Sequence, residues 1–158
     1  MEGFANLCRS YAEAADRAGK PEIAGACRKI AEAPPQSFRE ALQLVWLTYQ
    51  AFLCEDRYAM AFGRMDQYLA PFYQRDLENG TLCYDDAVTL LESVFIKLYE
   101  FRRFRGGDEV ANICIGGITG NGEDAVNELS YAILKAVERV RIPGPNLSVR
   151  IHRKTADS

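Results

Sequence analysis

The sequence has a single histidine, and its five cysteines are 19 or more residues apart, so no two of them form a close pair. Zinc and iron–sulfur sites usually take ligand pairs from one short loop, which argues against a metal site here. The odd number of cysteines also disfavours a disulfide framework, and we expect free thiols. His152 lies near Arg150 and Arg153, where we expect no catalytic base for a serine or cysteine nucleophile.

The sequence also lacks an excess of positive charge and a long hydrophobic run. Its formal net charge is -3, whereas a general nucleic-acid-binding surface must be basic to neutralise phosphates. The longest apolar stretch, residues 41–54, is interrupted by polar residues and is shorter than the roughly 20 residues that span a bilayer. No cationic segment followed by an apolar run marks a signal peptide. We therefore expect a soluble, cytoplasmic protein without a nucleic-acid or membrane partner.

The chain does contain 48% hydrophobic and 26% charged residues in 158 positions, which is typical of one folded domain or of a piece of one. Apolar residues recur at helical spacing over most of its length. This pattern predicts a loop at residues 55–64 and helices at residues 4–18, 21–33, 37–53, 65–79, 85–103 and 123–141. Ser37 and Glu40 form a predicted capping box at the start of the third helix.

Two segments have strand patterns, and they enclose the last predicted helix. Residues 110–118 form an apolar run that ends in glycines, and residues 146–152 alternate between apolar and polar side chains. A strand, a helix and a strand in this order give two parallel neighbours. The predicted fold is therefore α/β and helix-rich, with about two parallel strands.

Two features indicate that more protein normally surrounds this segment. The predicted helix at residues 37–53 is apolar on nearly every side, which is typical of a helix buried in a larger core. Two parallel strands do not form a stable sheet alone, since sheets have about five strands on average. We therefore interpret residues 1–158 as a single incomplete domain without a linker.

Five segments, in this order along the chain, resemble the glycyl radical enzymes of the pyruvate formate-lyase type. They are PPQSFREALQ at 34–43, GRMDQYLAPFY at 63–73, IGG at 115–117, DAVNELSY at 124–131 and PNLSVR at 145–150. Their order and spacing together make the resemblance specific. It implies a ten-stranded α/β barrel made of two five-stranded halves, of which this chain resembles part of the N-terminal half.

The resemblance also implies a chemistry. In the family, a glycyl radical near the C-terminus is passed to a cysteine on a loop inside the barrel, and the thiyl radical then abstracts hydrogen from a small-molecule substrate or attacks it. A separate activating enzyme, which uses S-adenosylmethionine and an iron–sulfur cluster, installs the radical. Members of the family are lyases, dehydratases, decarboxylases and formate C-acetyltransferases of anaerobic metabolism.

The sequence departs from the family at both of these positions. The radical-bearing motif, Arg-Val-x-Gly-Tyr, begins in the same way at Arg139 and Val140, but Ile142 stands in the place of the glycine. None of the five cysteines matches the motif of the thiyl cysteine. We therefore expect no catalytic residue and no directly bound cofactor in this chain, and no turnover by this chain alone.

The resemblance places two segments of the chain at the substrate pocket. The loop before the GRMDQY segment contributes Arg57, Tyr58 and Ala59, and the segment before the first predicted strand contributes Asp108 and Glu109. The fork of Arg57 suits a substrate carboxylate, and either acid suits proton exchange with a substrate. The alternatives are a surface ion pair for Arg57, plain packing for Tyr58 and solvated turns for the two acids.

The pocket residues leave the substrate open. Relatives that act on glycerol carry His-Ser where this chain has Tyr58 and Ala59, and the loss of these hydrogen bonds argues against glycerol. Residues 60–64 resemble the pyruvate formate-lyases, whereas other segments resemble the dehydratases and decarboxylases. Arg64 and Asp66 are expected to be structural and to fix the loop onto the helix that follows.

Three hypotheses follow for the chain as a whole. The first is an incomplete glycyl radical enzyme, whose partners are the rest of its barrel and the activating enzyme. The second is a non-catalytic scaffold or one half of a split enzyme. The third is an unrelated helical domain, in which residues 110–118 and 146–152 would not pair. Because the strands lack outer neighbours, we expect the chain to self-associate when it is expressed alone.

Overall fold

The computed structural model of the chain describes residues 2–55, 59–105 and 111–155, and only the backbone at 101–105. The chain divides into two compact units, Met1–Tyr58 and Ala59–Ser158, here called unit 1 and unit 2. Unit 1 contains α1 Glu2–Arg17, α2 Pro21–Glu32 and α3 Phe38–Cys54. Unit 2 contains β1 Met60–Arg64, α4 Met65–Tyr68, α5 Ala70–Glu78, α6 Tyr84–Arg105, β2 Ala111–Gly116, α7 Glu128–Val140 and β3 Asn146–Arg150. None of the helices in the described ranges could cross a membrane.

Unit 1 is a group of three helices that follows the predicted helix pattern closely. Small side chains dominate where α1 meets α2, because they let two helix backbones approach each other closely. The core that the three helices share consists of Cys8, Ala12, Cys27, Ile30 and Leu47. The apolar α3 is covered along most of its length, as its composition predicts.

The start of α3 shows the predicted capping box. The hydroxyl of Ser37 accepts a hydrogen bond from the backbone N–H of Glu40 at 3.2 Å. The Glu40 carboxylate reaches back to accept one from the N–H of Gln36 at 2.7 Å, and it is 2.9 Å from the ammonium of Lys29 on α2. Burial raises the pKa of Glu40, but the hydrogen bonds from Gln36 and Lys29 outweigh burial and hold this pKa below its ordinary value.

The strands of unit 2 form a parallel sheet in the order β1-β2-β3. β2 and β3 pair from Asn112 opposite Asn146 to Gly116 opposite Arg150. This pairing confirms the two predicted parallel strands, and it contradicts the hypothesis of an unrelated helical domain.

β1 corrects the expectation of a loop at residues 55–64. Its residues pair with β2, so the sheet has a third parallel strand. The register shifts between Ala61 and Gly63, which leaves Phe62 as an extra residue, and Gly63 has a φ of 68°. This bulge interrupts the alternation of side chains, so the segment lacks the period-two pattern of a strand.

The helix predicted at 65–79 consists of two helices, α4 and α5, which meet at Leu69. Pro71 lies at the start of α5 and has no N–H to donate to the preceding turn, so one continuous helix cannot form. The helix predicted at 85–103 is confirmed as α6, with slightly wider bounds.

The helix predicted at 123–141 begins only at Glu128. The N–H of Ala125 is bonded instead to the carbonyl of Gly117 at 3.0 Å, which holds the preceding segment in a non-helical path. Asn127 then caps α7, since its side chain accepts from the N–H of Ser130 and the Ser130 hydroxyl accepts from the N–H of Asn127, both at 3.1 Å.

The carboxylate of Asp66 joins α4, β2 and α7. The residue is completely buried. Its Oδ2 accepts hydrogen bonds from the N–H of Gly116 at 2.7 Å and from the hydroxyl of Ser130 at 2.6 Å, and its backbone carbonyl accepts one from the Asn127 amide at 2.9 Å. Charge-assisted bonds of this kind are stronger than neutral ones. Asp66 therefore has the structural role expected for it.

Replacing Asp66 with alanine should loosen the end of β2. The N–H of Gly116 and the hydroxyl of Ser130 would each lose a charged acceptor, at about 1.5–3 kcal/mol per hydrogen bond. Hydrogen–deuterium exchange should therefore accelerate in peptides of β2, by about tenfold for every 1.4 kcal/mol lost. Ser130→Ala is the control: it keeps the bond from Gly116 to Asp66 and removes the bond from Ser130 to Asp66 together with the one from the N–H of Asn127 to Ser130, so it should have a smaller effect on β2. Unchanged exchange in β2 would contradict the role of Asp66.

The lowered pKa of Glu40 should make the stability of unit 1 depend on acid. The folded state favours the ionised carboxylate, so its stabilisation is complete above the ordinary pKa of a glutamate and is lost as the pH falls through the lower folded value. Trp46 on α3, the only tryptophan, reports unfolding by its fluorescence. Glu40→Gln should lower the unfolding free energy at neutral pH by about 1–2 kcal/mol and flatten the acid dependence.

The control for this change is Lys29→Met. The Lys29 side chain is mostly exposed, so its ion pair should contribute much less than the buried hydrogen bonds to Glu40. An equal loss of stability in both variants, or an unchanged acid dependence in Glu40→Gln, would contradict this account.

Candidate functional site

Of the five residues that the sequence places at the pocket, the structure describes one. Ala59 is exposed and directly precedes β1. Arg57 and Tyr58 lie outside the described residues, and so do Asp108 and Glu109. Their contact with a substrate stays a prediction.

The register of the sheet nevertheless relates the two predicted pocket segments. Met60, the first residue of β1, is opposite Ala111, the first residue of β2. Because the strands are parallel, the chain enters both of them at the same edge of the sheet. Residues 57–59 and 108–110 are the ones that directly precede these two entries.

One face of the sheet is apolar and packs toward α7. Ile113 and Ile115 of β2 are at most 1% exposed, and the register puts Leu147 and Val149 of β3 beside them. Ile115 and Val149 line one cavity together with side chains of α7, so this helix lies on their side of the sheet.

The other face of the sheet, here called the open face, is polar. Asn112 and Cys114 alternate with the buried isoleucines of β2, and they are opposite Asn146 and Ser148 of β3. Asn112 and Cys114 are half-buried, and Asn146 and Ser148 are exposed. Within the described part of the chain, none of these four side chains makes a hydrogen bond. The sequence analysis missed this set, although the alternation in β3 carried the signal.

The carboxyl edge of the sheet is closed by contacts to the backbone. The N–H of Gly117 donates to the carbonyl of Arg150 at 2.7 Å, and Nη1 of Arg64 donates to the carbonyl of Ile118 at 3.0 Å. A Cβ at Gly116 would lie 2.9 Å from the Arg150 carbonyl oxygen, and φ at Gly116 is 68°. Glycine is therefore required at this position. This contact of Arg64 is structural, but it reaches the segment after β2 and not the helix that follows Arg64, which was the expected partner.

A cavity of about 230 Å³ lies beside this edge, and residues of β2, β3 and α7 line it. Its walls are mainly apolar, and its polar groups come from Asp124, Ser130 and Thr155. Pockets for small molecules usually have volumes above about 300 Å³. The Ser130 hydroxyl is also engaged with Asp66, so we do not assign the substrate to this cavity.

His152 holds the turn that follows β3. Its Nδ1 accepts a hydrogen bond from the N–H of Lys154 at 3.2 Å, and its Nε2 is 3.4 Å from Oδ1 of Asp124. The backbone N–H of His152 donates to the hydroxyl of Thr155 at 3.0 Å. The imidazole therefore makes one hydrogen bond within this turn, and its Nε2 lies beside Asp124 of the segment before α7 without a hydrogen bond.

The five cysteines are free, and Cys8 and Cys27 lie in the same core cluster of unit 1. Cys8 and Cys27 are completely buried, and burial raises the pKa of both thiols. Cys54 and Cys83 are exposed, and Cys114 lies on the open face. In the ranges that the structure describes, no three His, Cys, Asp or Glu side chains are grouped as a metal ion would need.

Known proteins similar to this chain are several-fold longer. The chain is 40% identical to the probable dehydratase YbiW of Escherichia coli strain K12 over 170 residues, which cover 96% of this chain and 21% of YbiW. A structure described for 1,2-propanediol dehydration in Roseburia inulinivorans has a TM-score of 0.79 at 32% identity, over 98% of this chain and 20% of that one. A glycyl radical enzyme from Archaeoglobus fulgidus has a TM-score of 0.78 at 32% identity, over 96% of this chain and 21% of that one.

The family assignment rests on the whole chain. The chain spans about a fifth of the length of these relatives, so its helix-rich α/β fold is a piece of the glycyl radical enzyme barrel. A family model described as pyruvate formate lyase-like matches residues 1–158. This match confirms the resemblance seen in the five sequence segments: the chain belongs to the pyruvate formate lyase-like family.

Proposed function

We propose that this chain is the substrate-pocket segment of a glycyl radical enzyme that cleaves a C–O, C–N or C–C bond of a small polar molecule. Family membership supports the chemistry, and relatives named as dehydratases, a sulfite-lyase and a decarboxylase support bond cleavage. The observation that carries the location of the pocket is the register of Met60 opposite Ala111. The first residues of the two strands that follow the predicted pocket segments therefore lie side by side at one edge of the sheet.

In this proposal each predicted residue has a role at that edge. Arg57 pairs with an anionic group of the substrate through its planar fork. Tyr58 and Ala59 shape the wall beside it. Asp108 or Glu109 hydrogen-bonds the substrate or exchanges a proton with it.

The radical itself comes from groups that this chain does not supply. The thiyl cysteine and the radical glycine belong to other parts of the same barrel, and the glycyl radical, installed by an S-adenosylmethionine-dependent iron–sulfur activating enzyme, initiates the chemistry. The complete burial of Cys8 and Cys27 supports leaving these two thiols out of the chemistry. If the cell makes the chain at this length, the alternative is one half of a split enzyme, or a scaffold.

The rest of the barrel is the proposed partner of unit 2. In the described part of the chain β3 pairs on one side only, with β2. Val149 and Ile151, on β3 and just after it, are 49% and 78% exposed. Tyr131 and Leu134 of α7 add further exposed apolar surface. An unpaired strand edge with apolar side chains favours the addition of another strand.

Activation tests the proposed chemistry. Intact mass spectrometry of the native polypeptide first establishes the length at which the cell makes it. Incubated without oxygen with its activating enzyme and S-adenosylmethionine, that polypeptide should give the EPR signal of a carbon-centred radical and consume one of the relatives' substrates. The 158-residue chain alone should do neither. The absence of a radical in the native polypeptide would refute the proposed function. A radical in the 158-residue chain would refute the proposal that the radical glycine and the thiyl cysteine lie outside it.

The unpaired edge should make the 158-residue chain self-associate. Sedimentation velocity should show species larger than 17.7 kDa whose proportion rises with concentration. Val149→Lys places a charge beside the free edge and should reduce this association, because charged residues protect strand edges. Ser93→Lys, on the exposed surface of α6, adds the same charge and should have little effect. A monodisperse monomer would contradict the expectation.

A further inference from the structure

The difference in polarity between the two faces of the sheet is unusual for parallel strands. Parallel strands normally lie between two layers of protein and carry apolar side chains on both faces. Here the face toward α7 follows that rule, with Ile113, Ile115 and Leu147. The open face does not follow it on β2 and β3, where Asn112, Cys114, Asn146 and Ser148 alternate with the apolar residues. On β1 the same two rows continue with Ala61 and Arg64. Whatever covers this face must therefore satisfy polar groups or be wet.

The polar residues on the open face form a compact group. Asn112 is opposite Asn146, and Cys114 is opposite Ser148. Neighbouring strands are about 4.8 Å apart, and two residues along a strand advance about 6.6 Å, so the four side chains frame an area suited to a molecule of a few heavy atoms. No other described side chain uses their hydrogen-bonding groups.

The chemistry of the group indicates what it recognises. Two amides, a hydroxyl and a thiol supply both donors and acceptors without a carboxylate or an ammonium. The nearest cation in the same row is Arg64, opposite Cys114. Its Nη1 donates to the carbonyl of Ile118, and its Nε and Nη2 are buried without a hydrogen-bond partner. Because the four side chains of the group are themselves uncharged, the group suits an uncharged hydrogen-bonding part of a ligand, such as a hydroxyl.

We propose that Asn112, Cys114, Asn146 and Ser148 form a wall of the substrate cavity and hydrogen-bond a hydroxyl group of a small substrate. This inference rests on the proposed function, and it adds residues that the family resemblance did not point to. It also places the substrate on the open face, which begins at the edge where the two predicted pocket segments enter the sheet.

The thiol of Cys114 provides a direct test. The native-length polypeptide, without activation, is treated with N-ethylmaleimide in the presence and absence of trans-4-hydroxy-L-proline, isethionate, 1,2-propanediol or glycerol, and labelling rates are measured by peptide mass spectrometry. At ten times its Kd, a compound that covers the open face should slow the labelling of Cys114 about tenfold. Cys83, which is exposed at the start of α6, is the internal control and should react at an unchanged rate.

Variants identify the contacts. Asn112→Ala and Ser148→Ala should each lower the affinity for the protecting compound about five- to tenfold, which corresponds to the loss of one hydrogen bond. Val149→Ala, on the opposite face of β3, should leave the affinity unchanged. Equal affinities in Asn112→Ala, Ser148→Ala and the unmodified protein would overturn the assignment of these residues.

The remaining outcomes separate this inference from the proposed function. If Cys114 reacts only in denaturant, or if no compound protects it, the open face is not a substrate wall and the inference fails, even where the activated enzyme turns over one of the compounds. If a compound protects Cys114 but activation yields no radical, the proposal that the open face binds this compound is supported, and the proposed radical chemistry is refuted.

Discussion

The carboxylate of Asp66 lies where three elements of unit 2 meet, and the arrangement of the sheet depends on it. A charged group without solvent contact is costly unless hydrogen bonds replace its hydration. Oδ2 of Asp66 obtains two, from the backbone of Gly116 and the hydroxyl of Ser130, whereas its Oδ1 is buried without a hydrogen-bond partner. The same residue therefore fixes the turn after β1, the end of β2 and the first turn of α7. Gly116 must be a glycine for a separate reason, since a side chain at this position would meet the backbone of β3.

These contacts also decide which parts of the sheet remain for chemistry. Open α/β sheets generally bind ligands outside the carboxyl ends of their strands. In unit 2 that edge is occupied by the Asp66 hydrogen bonds, by the Arg64 contact and by the turn that His152 holds. The amino edge, where both predicted pocket segments enter, and the polar open face are the surfaces left for a ligand. In the proposed function, the substrate would therefore lie at the end of the strands opposite to these structural contacts.

Local patterns predicted the helices of unit 1 and the capping box of α3, because each depends on residues close in sequence. The parallel pair of β2 and β3 joins distant residues, and it was predicted from the order strand, helix, strand. They failed where a distant or irregular contact decides the backbone. The bulge at Phe62 concealed β1, and the bond from Ala125 to Gly117 delayed the start of α7. Alternation alone marked Asn146 and Ser148 as one face, but only the register with β2 showed that Asn112 and Cys114 continue it. The radical chemistry could not have been reached from periodicity or charge, and it depended on the family resemblance.

The hydrogen bonds of Asp66 also have a consequence for the order in which the chain acquires its structure. They connect residues 50 and 64 positions apart, whereas the Glu40 contacts of unit 1 connect residues 4 and 11 positions apart. Long-range contacts require the closure of large loops before they stabilise anything, and proteins rich in them fold slowly. During synthesis the helices of unit 1 can form early, while β1 must remain without its partner strand until β2 has left the ribosome. The strand that directly follows residues 57–59 is thus exposed to aggregation for longer than the helices of unit 1.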